Sequence, residues 1–138
     1  IIVYGVGEQM SRSNIVLWAK DALSKGQELT IVDDQFRSPT LAEDLALGCW
    51  QIIEHNAEGI YHLSGKDLMS IYELVQRVAD FYNFDKSLIK PIKSSSLNQA
   101  AKRPPKTGFI IDKAQNDLGY SPKSFEEGLQ IVSEQLAK

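Results

Sequence analysis

Residues 86–111 contain no acidic side chain, yet Lys86, Lys90, Lys93, Lys102, Arg103 and Lys106 all fall there. A stretch of charge +6 inside a chain of net charge −3 is a candidate anion site. Arg103 is its sharpest element. It stands between Lys102 and the stiff Pro104-Pro105 pair, and its planar fork suits two phosphate oxygens where a lysine offers only a point charge. No aromatic residues are interleaved at the spacing that stacks bases, so a phosphate-bearing small molecule fits better than single-stranded nucleic acid. The plain alternative is a solvated basic loop.

A second group lies in Asp33-Asp34-Gln35-Phe36-Arg37-Ser38-Pro39. Polar side chains just beyond a strand end are where α/β folds bind ligands, which singles out Gln35 and Arg37. Adjacent Asp33 and Asp34 point to opposite sides of an extended backbone, so a turn role suits them better than a shared acid–base site. Asn14 opens the first helix, where free N–H groups and the dipole favour an anion. Gly5-Val6-Gly7 begins like a dinucleotide fingerprint, but Met10 stands where the third glycine belongs. A turn leaving the sheet is the better reading. His55 and His62 have no Cys or carboxylate cluster at ligand spacing, so structural roles and no metal are expected.

The elements that must position these groups follow from pattern. Residues 1–6 form a continuous apolar run, as a strand buried in a parallel sheet reads. The few other strand candidates, at 28–32 and 59–63 with a weaker one at 107–111, are too few to bury it. The chain therefore reads as a fragment, the alternative being an edge strand in a small complete domain. Ile15, Trp18, Ala19, Ala22 and Leu23 recur at helical spacing, with Ser11 or Ser13 as N-cap and Gly26 as the C′ residue. Thr40 with Glu43, and Ser70 with Glu73, read as capping boxes. The first would open a helix striped by Leu41, Leu45, Ala46, Cys49, Ile52 and Ile53. The second, stapled by Met69 and Leu74, would carry Ile71, Leu74, Val75, Val78, Ala79 and Tyr82. A short helix runs from Asp112 to Gly119, and a last one starts at Ser124 with Phe125, Leu129, Val132 and Leu136 inward.

At 138 residues, 43% hydrophobic, the chain is long enough for one domain with a core. Cys49 is the single cysteine, which excludes an intrachain disulfide framework and fits a reducing, cytoplasmic setting. No apolar run approaches the roughly 18 residues of a membrane span, no secretory pattern opens the chain, and the acidic balance argues against general nucleic-acid binding.

Val3-Tyr4-Gly5, Asn14-Ile15-Val16, the run from Val32 through Asp33-Asp34-Gln35-Phe36-Arg37-Ser38-Pro39 to Thr40, Asp44-Leu45-Ala46, Gly59-Ile60-Tyr61-His62-Leu63-Ser64-Gly65 and Ala101-Lys102-Arg103-Pro104 form one ordered set. With Asp112-Lys113, Leu118-Gly119-Tyr120 and Gly128-Leu129, it resembles the C-terminal, substrate-binding part of the dTDP-4-dehydrorhamnose reductases. These are extended short-chain dehydrogenase/reductases that act on a nucleotide sugar. Arg37 stands where that family often has glycine. The resemblance implies an α/β fold: the last strand of a Rossmann-type sheet plus a small substrate-binding lobe, with residues 1–138 as one region. It also implies NADP or NAD in the full-length protein, held by a dinucleotide-binding part absent from this chain, together with an upstream catalytic Tyr-x-x-x-Lys pair. Tyr4, Tyr61, Tyr72 and Tyr120 are followed four residues on by Glu8, Gly65, Gln76 and Ser124; only Tyr82, with Lys86, has the spacing, and its helix makes it a core residue. No catalytic or cofactor-binding residue is thus expected here, and the fragment should be inactive alone. Asn14, Gln35, Arg37 and Arg103 are expected to line the substrate face, with Arg103 the principal diphosphate contact. The alternatives are a nucleotide-sugar epimerase or dehydratase, or a non-catalytic regulatory relative that binds a partner enzyme. Unpaired edges of the first strand would favour a homo-oligomer.

Overall fold

The computed structural model of the chain describes residues 1–7, 13–97 and 103–138; Met10, Ser11 and Lys102 lie outside them. In order come β1 (Ile2–Tyr4), α1 (Ile15–Ser24), β2 (Leu29–Val32), β3 (Phe36–Arg37), β4 (Pro39–Leu41) and α2 (Ala42–Glu54). Then follow β5 (Met69–Ser70), α3 (Ile71–Tyr82), β6 (Ile89–Ile92), α4 (Asp112–Leu118) and α5 (Phe125–Leu136). These divide into two units, the first of residues 1–6, 38–68 and 108–138, the second of residues 7–37 and 69–107.

In the first unit β1 and β4 run parallel, Ile2 beside Pro39 and Tyr4 beside Leu41. The buried Tyr4 ring meets Phe125 edge-on, 5.4 Å between centroids. Gly128 makes room for it: a Cβ there would collide with the Tyr4 hydroxyl. Ser124 opens α5 with a reciprocal capping box, its hydroxyl accepting from Glu127 N–H while the Glu127 carboxylate accepts from Ser124 N–H. Phe125, Leu129 and Val132 are buried as expected, each worth roughly 1.5–3 kcal/mol. Leu136, one turn beyond, is exposed instead.

Three expectations in this unit give way. Thr40 caps nothing. It is fully buried in β4, where its hydroxyl donates to Ser38 carbonyl at 3.2 Å and accepts from Gly65 N–H at 2.9 Å. Helix α2 starts two residues later, after Leu41, without a side-chain cap. It turns Asp44 and Gly48 inward, because a Cβ at Gly48 would run into Leu63 and Tyr120; Leu47, Cys49, Trp50 and Ile53 are exposed. Residues 59–63 form no strand. Side chains hold the segment in place of a ladder: Lys113 Nζ donates to Ile60 carbonyl at 3.0 Å, and Tyr61 to Asp117 at 3.0 Å.

In the second unit β2 and β6 run parallel, from Leu29 beside Ile89 to Val32 beside Ile92, and α1 and α3 pack against each other and on β2. β6 escapes sequence reading because Pro91 interrupts it, which only an edge strand tolerates. The N-cap of α1 is Asn14 rather than Ser13; Val16 is buried and Trp18 exposed. Gly26, at φ +69°, ends α1 as expected, with Gln27 N–H returning to Ala22 carbonyl and Gly26 N–H to Leu23 carbonyl. Ser70 caps α3 by accepting from Glu73 N–H, but the Glu73 carboxylate turns to Arg77 at 2.7 Å instead of completing the box. Leu74, Val75, Val78 and Ala79 form the buried stripe.

Candidate functional site

The loop beyond the carboxyl end of β2 carries Gln35 into β3, and β3 gains a neighbour on each side. Phe36 N–H donates to Pro105 carbonyl at 2.7 Å and Thr107 N–H donates to Phe36 carbonyl at 3.1 Å, a parallel bridge that sets Phe36 beside Lys106. On the other side β5 pairs antiparallel, Phe36 beside Ser70, and Ile71 N–H donates to Gln35 carbonyl at 3.0 Å. Two stretches far apart in sequence, the Gln35–Arg37 loop and the segment that follows Arg103, are thereby brought together.

Arg37 ties them. Its Nη1 donates to Phe36 carbonyl at 2.6 Å and to Pro105 carbonyl at 3.3 Å, and its Nη2 donates to Gln35 Oε1 at 3.4 Å. Gln35 is only 7% exposed. Its Oε1 is turned to Arg37. Lys106 is exposed beside this corner and Arg103 is exposed three residues earlier in the chain, and neither has an ion-pair partner among the described residues. The groups gathered here are donors and cations, the chemistry that holds a phosphate.

The rest of the basic stretch is partly neutralised. Lys86 pairs with Asp80 at 2.7 Å and Lys93 with Asp33 at 2.8 Å. Asp33 and Asp34 do point apart: Asp34 accepts from Ser94 N–H at 3.0 Å and Ser94 hydroxyl at 2.9 Å. Desolvation raises the Asp34 pKa, but the hydrogen bonds from Ser94 and from its own backbone N–H, with the Lys93 charge, together outweigh it and hold the carboxyl below its usual value. A folded-state pKa below the unfolded one, near ~3.9, gives stability that is present above it and lost as pH falls through the folded value. Acidification from pH 6 to 3 is therefore expected to loosen the Ser94 turn. Amide exchange at Ser94 in wild type and Asp34→Asn measures it, and the variant should lose most of that acid dependence.

Asn14 opens α1 as its cap. Its Oδ1 accepts from Val16 N–H and Leu17 N–H, both at 3.1 Å, so two donors that an anion would use are already satisfied by the cap. Tyr82 stacks on Phe84 at 5.6 Å between centroids while Lys86 is held by Asp80, so the one correctly spaced Tyr/Lys pair is directed to separate neighbours. His62 stacks on Phe109 at 4.8 Å, and His55 Nδ1 lies 2.9 Å from Gln51 carbonyl at the end of α2. Among the described residues no group of His, Cys, Asp and Glu is placed to hold a metal, and no helix is long and apolar enough to cross a membrane. Gly5 packs against α2: a Cβ there would lie 3.2 Å from Ala42 Cβ.

Sequence reasoning missed a carboxylate cluster at the start of α5. Asp44, 2% exposed, accepts from Lys123 N–H at 2.8 Å and Lys123 Nζ at 2.9 Å, while Asp67 accepts from Phe125 N–H at 2.7 Å. Both act at the positive end of a helix. Burial, with the Asp44 charge next, pushes the nearby Tyr120 phenol up to about 12, and Tyr120 donates to Ser64 carbonyl at 3.2 Å. Asp44-Leu45-Ala46 carried the resemblance without any sign of this structural role; no local spacing links Asp44 to Lys123.

Two parallel strand pairs and one antiparallel pair, packed with helices, make a mixed α/β fold. The chain belongs to the RmlD substrate binding domain family, whose model matches residues 2–138. It is 25% identical to dTDP-4-dehydrorhamnose reductase from Bacillus anthracis, solved in complex with NADP, with a TM-score of 0.83 over 96% of this chain and 46% of that one. It is 28% identical to the spore coat polysaccharide biosynthesis protein SpsK of Bacillus subtilis, over 93% of this chain and 43% of that protein. Methionine adenosyltransferase 2 subunit beta of Xenopus laevis is 30% identical, over 75% of this chain and 32% of that protein. The chain thus spans a third to a half of the length of these relatives.

Proposed function

We propose that this chain is the substrate-binding portion of an NAD(P)-dependent reductase of a nucleotide-linked 4-keto sugar, in which Gln35, Arg37 and Arg103 face the sugar nucleotide. The observation that carries the reading is the bridge from Phe36 to residues 105–107, which gathers donors and cations at the end of β2. Family membership supports it, as does the likeness to a reductase solved with NADP. Grip on the diphosphate would hold the sugar in register for hydride transfer. Asn14 serves that face by capping α1. The dinucleotide-binding part and the proton-donating Tyr-x-x-x-Lys pair belong to residues other than these 138, and the chain alone turns over no substrate. A cytoplasmic setting and a homo-oligomer through the outer edge of β1 complete the reading.

Arg103→Ala is expected to weaken binding of the nucleotide sugar by roughly 1–3 kcal/mol, the scale of hydrogen bonds to a charged group, and Arg103→Lys to recover part of it. Calorimetric titration of the complete enzyme measures both; unchanged affinity in both variants counts against the assignment.

A second reading rests on the likeness to methionine adenosyltransferase 2 subunit beta. On it, the complete protein is a subunit that binds a partner enzyme. Consumption of NAD(P)H by the complete protein with a dTDP-4-keto-6-deoxy sugar favours the reductase. No turnover, with tight binding to an adenosyltransferase, favours the subunit.

A further inference from the structure

We infer that Arg37, besides facing the ligand, is a positioning residue: it fastens the segment that follows Arg103 onto β3 and sets the orientation of Gln35. The inference rests on the nucleotide-sugar reading for its ligand, but its geometry stands without it.

The guanidinium is already committed. One nitrogen reaches the carbonyls of both Phe36 and Pro105, and the other reaches Gln35 Oε1. Those contacts join two stretches of chain, residues 35–36 and Pro105, that also meet through the Phe36 pair of hydrogen bonds to Pro105 and Thr107. A bridge one residue long, between Phe36 and the distant Lys106, is weak by itself. A charged donor on its carbonyl acceptors adds the larger share of its strength. Pro104 and Pro105 transmit the anchor, because fixed φ angles leave little slack between Pro105 and Arg103. The contact to Oε1 also decides how Gln35 is presented. It draws the amide oxygen toward Arg37, which leaves the amide N–H groups to meet a ligand rich in acceptors such as a nucleoside diphosphate.

Two measurements test this, and they fail separately. In the ligand-free 138-residue chain, Arg37→Ala is expected to speed amide exchange at Phe36 and Thr107 by about tenfold, the scale of one charge-assisted hydrogen bond, while Thr30 and Val78 keep wild-type exchange. Arg37→Lys, which can still donate to Pro105 carbonyl, should recover part of that protection. In titrations with dTDP, the Arg37→Ala and Arg103→Ala losses should be strongly non-additive, since Arg103 without its anchor is no longer held in place. Unchanged exchange at Phe36 and Thr107 in Arg37→Ala overturns the positioning role, and so do additive losses in dTDP affinity. Wild-type protein that does not bind dTDP overturns the nucleotide-sugar reading instead, and the exchange result still decides the role of Arg37.

Discussion

Gly65→Ala is expected to destabilise the first unit by about 3 kcal/mol, a fall in Tm on the order of 10 °C. The reason is steric. A Cβ on Gly65 would be driven into the carbonyl oxygen of Pro39, and Thr40 Cα lies close behind. That neighbour is backbone inside β4, paired to β1 at Ile2, and cannot rotate away. Gly65 N–H also donates to the buried Thr40 hydroxyl, so any shift that relieves the clash breaks this bond as well. Gly108→Ala is the control: its Cβ would sit 3.1 Å from the Ser38 hydroxyl, which can turn, and should cost under about 1 kcal/mol. Thermal unfolding of the two variants separates the cases.

Asp44→Ala should cost about 3 kcal/mol, through the start of α5 rather than through any chemistry. Removing the carboxylate strands the Lys123 N–H and leaves a gap between α2 and the turn before α5. The lysine itself escapes part of the penalty, because its side chain is 38% exposed and its charge can reach water. Asp44→Asn keeps one acceptor for the N–H and should cost about 1 kcal/mol. Denaturant unfolding measures both. The affinity of the folded fraction for dTDP should not change, since Asp44 lies in the first unit and the Gln35–Arg37 corner in the second.

Helix ends whose signals lie within a few residues were legible from sequence. Ser70, Ser124, Gly26 and Gly119 each announce a terminus through a local hydrogen bond or a left-handed φ, and the structure uses all four in that way. Thr40 and Glu43 carried the same local signal and failed. A hydroxyl that finds a buried partner in Gly65, 25 residues on, has no reason to cap a helix. The α2 stripe held in part, with Leu41 buried and Ile52 packed on the core, but the fully buried positions of that helix are a glycine and a carboxylate, which hydrophobic periodicity does not count. β3 and β6 were invisible, one because it is two residues long, the other because a proline sits inside it.

At the candidate site, residue type carried further than position. Gln35 and Arg37 stood out as polar groups past a strand end, and Arg103 as a fork within a basic run. Nothing in their spacing said that Phe36 would pair beside Lys106, or that Lys86 and Lys93 would be neutralised by carboxylates while Arg103 and Lys106 were not. Those outcomes depend on strand pairing across 60 residues or more. Asn14 was legible as the residue that opens α1, and the structure makes it the cap, its Oδ1 accepting from Val16 and Leu17 N–H.

The most direct measurement is an amide NMR titration of the 138-residue chain with dTDP. The account predicts saturable shifts at the Gln35 side-chain amide and at the backbone amides of Phe36, Arg37 and Thr107, with Ser94 and Tyr120 unmoved. No shift at saturating dTDP, or shifts centred on the Asp33–Lys93 pair instead, would contradict it.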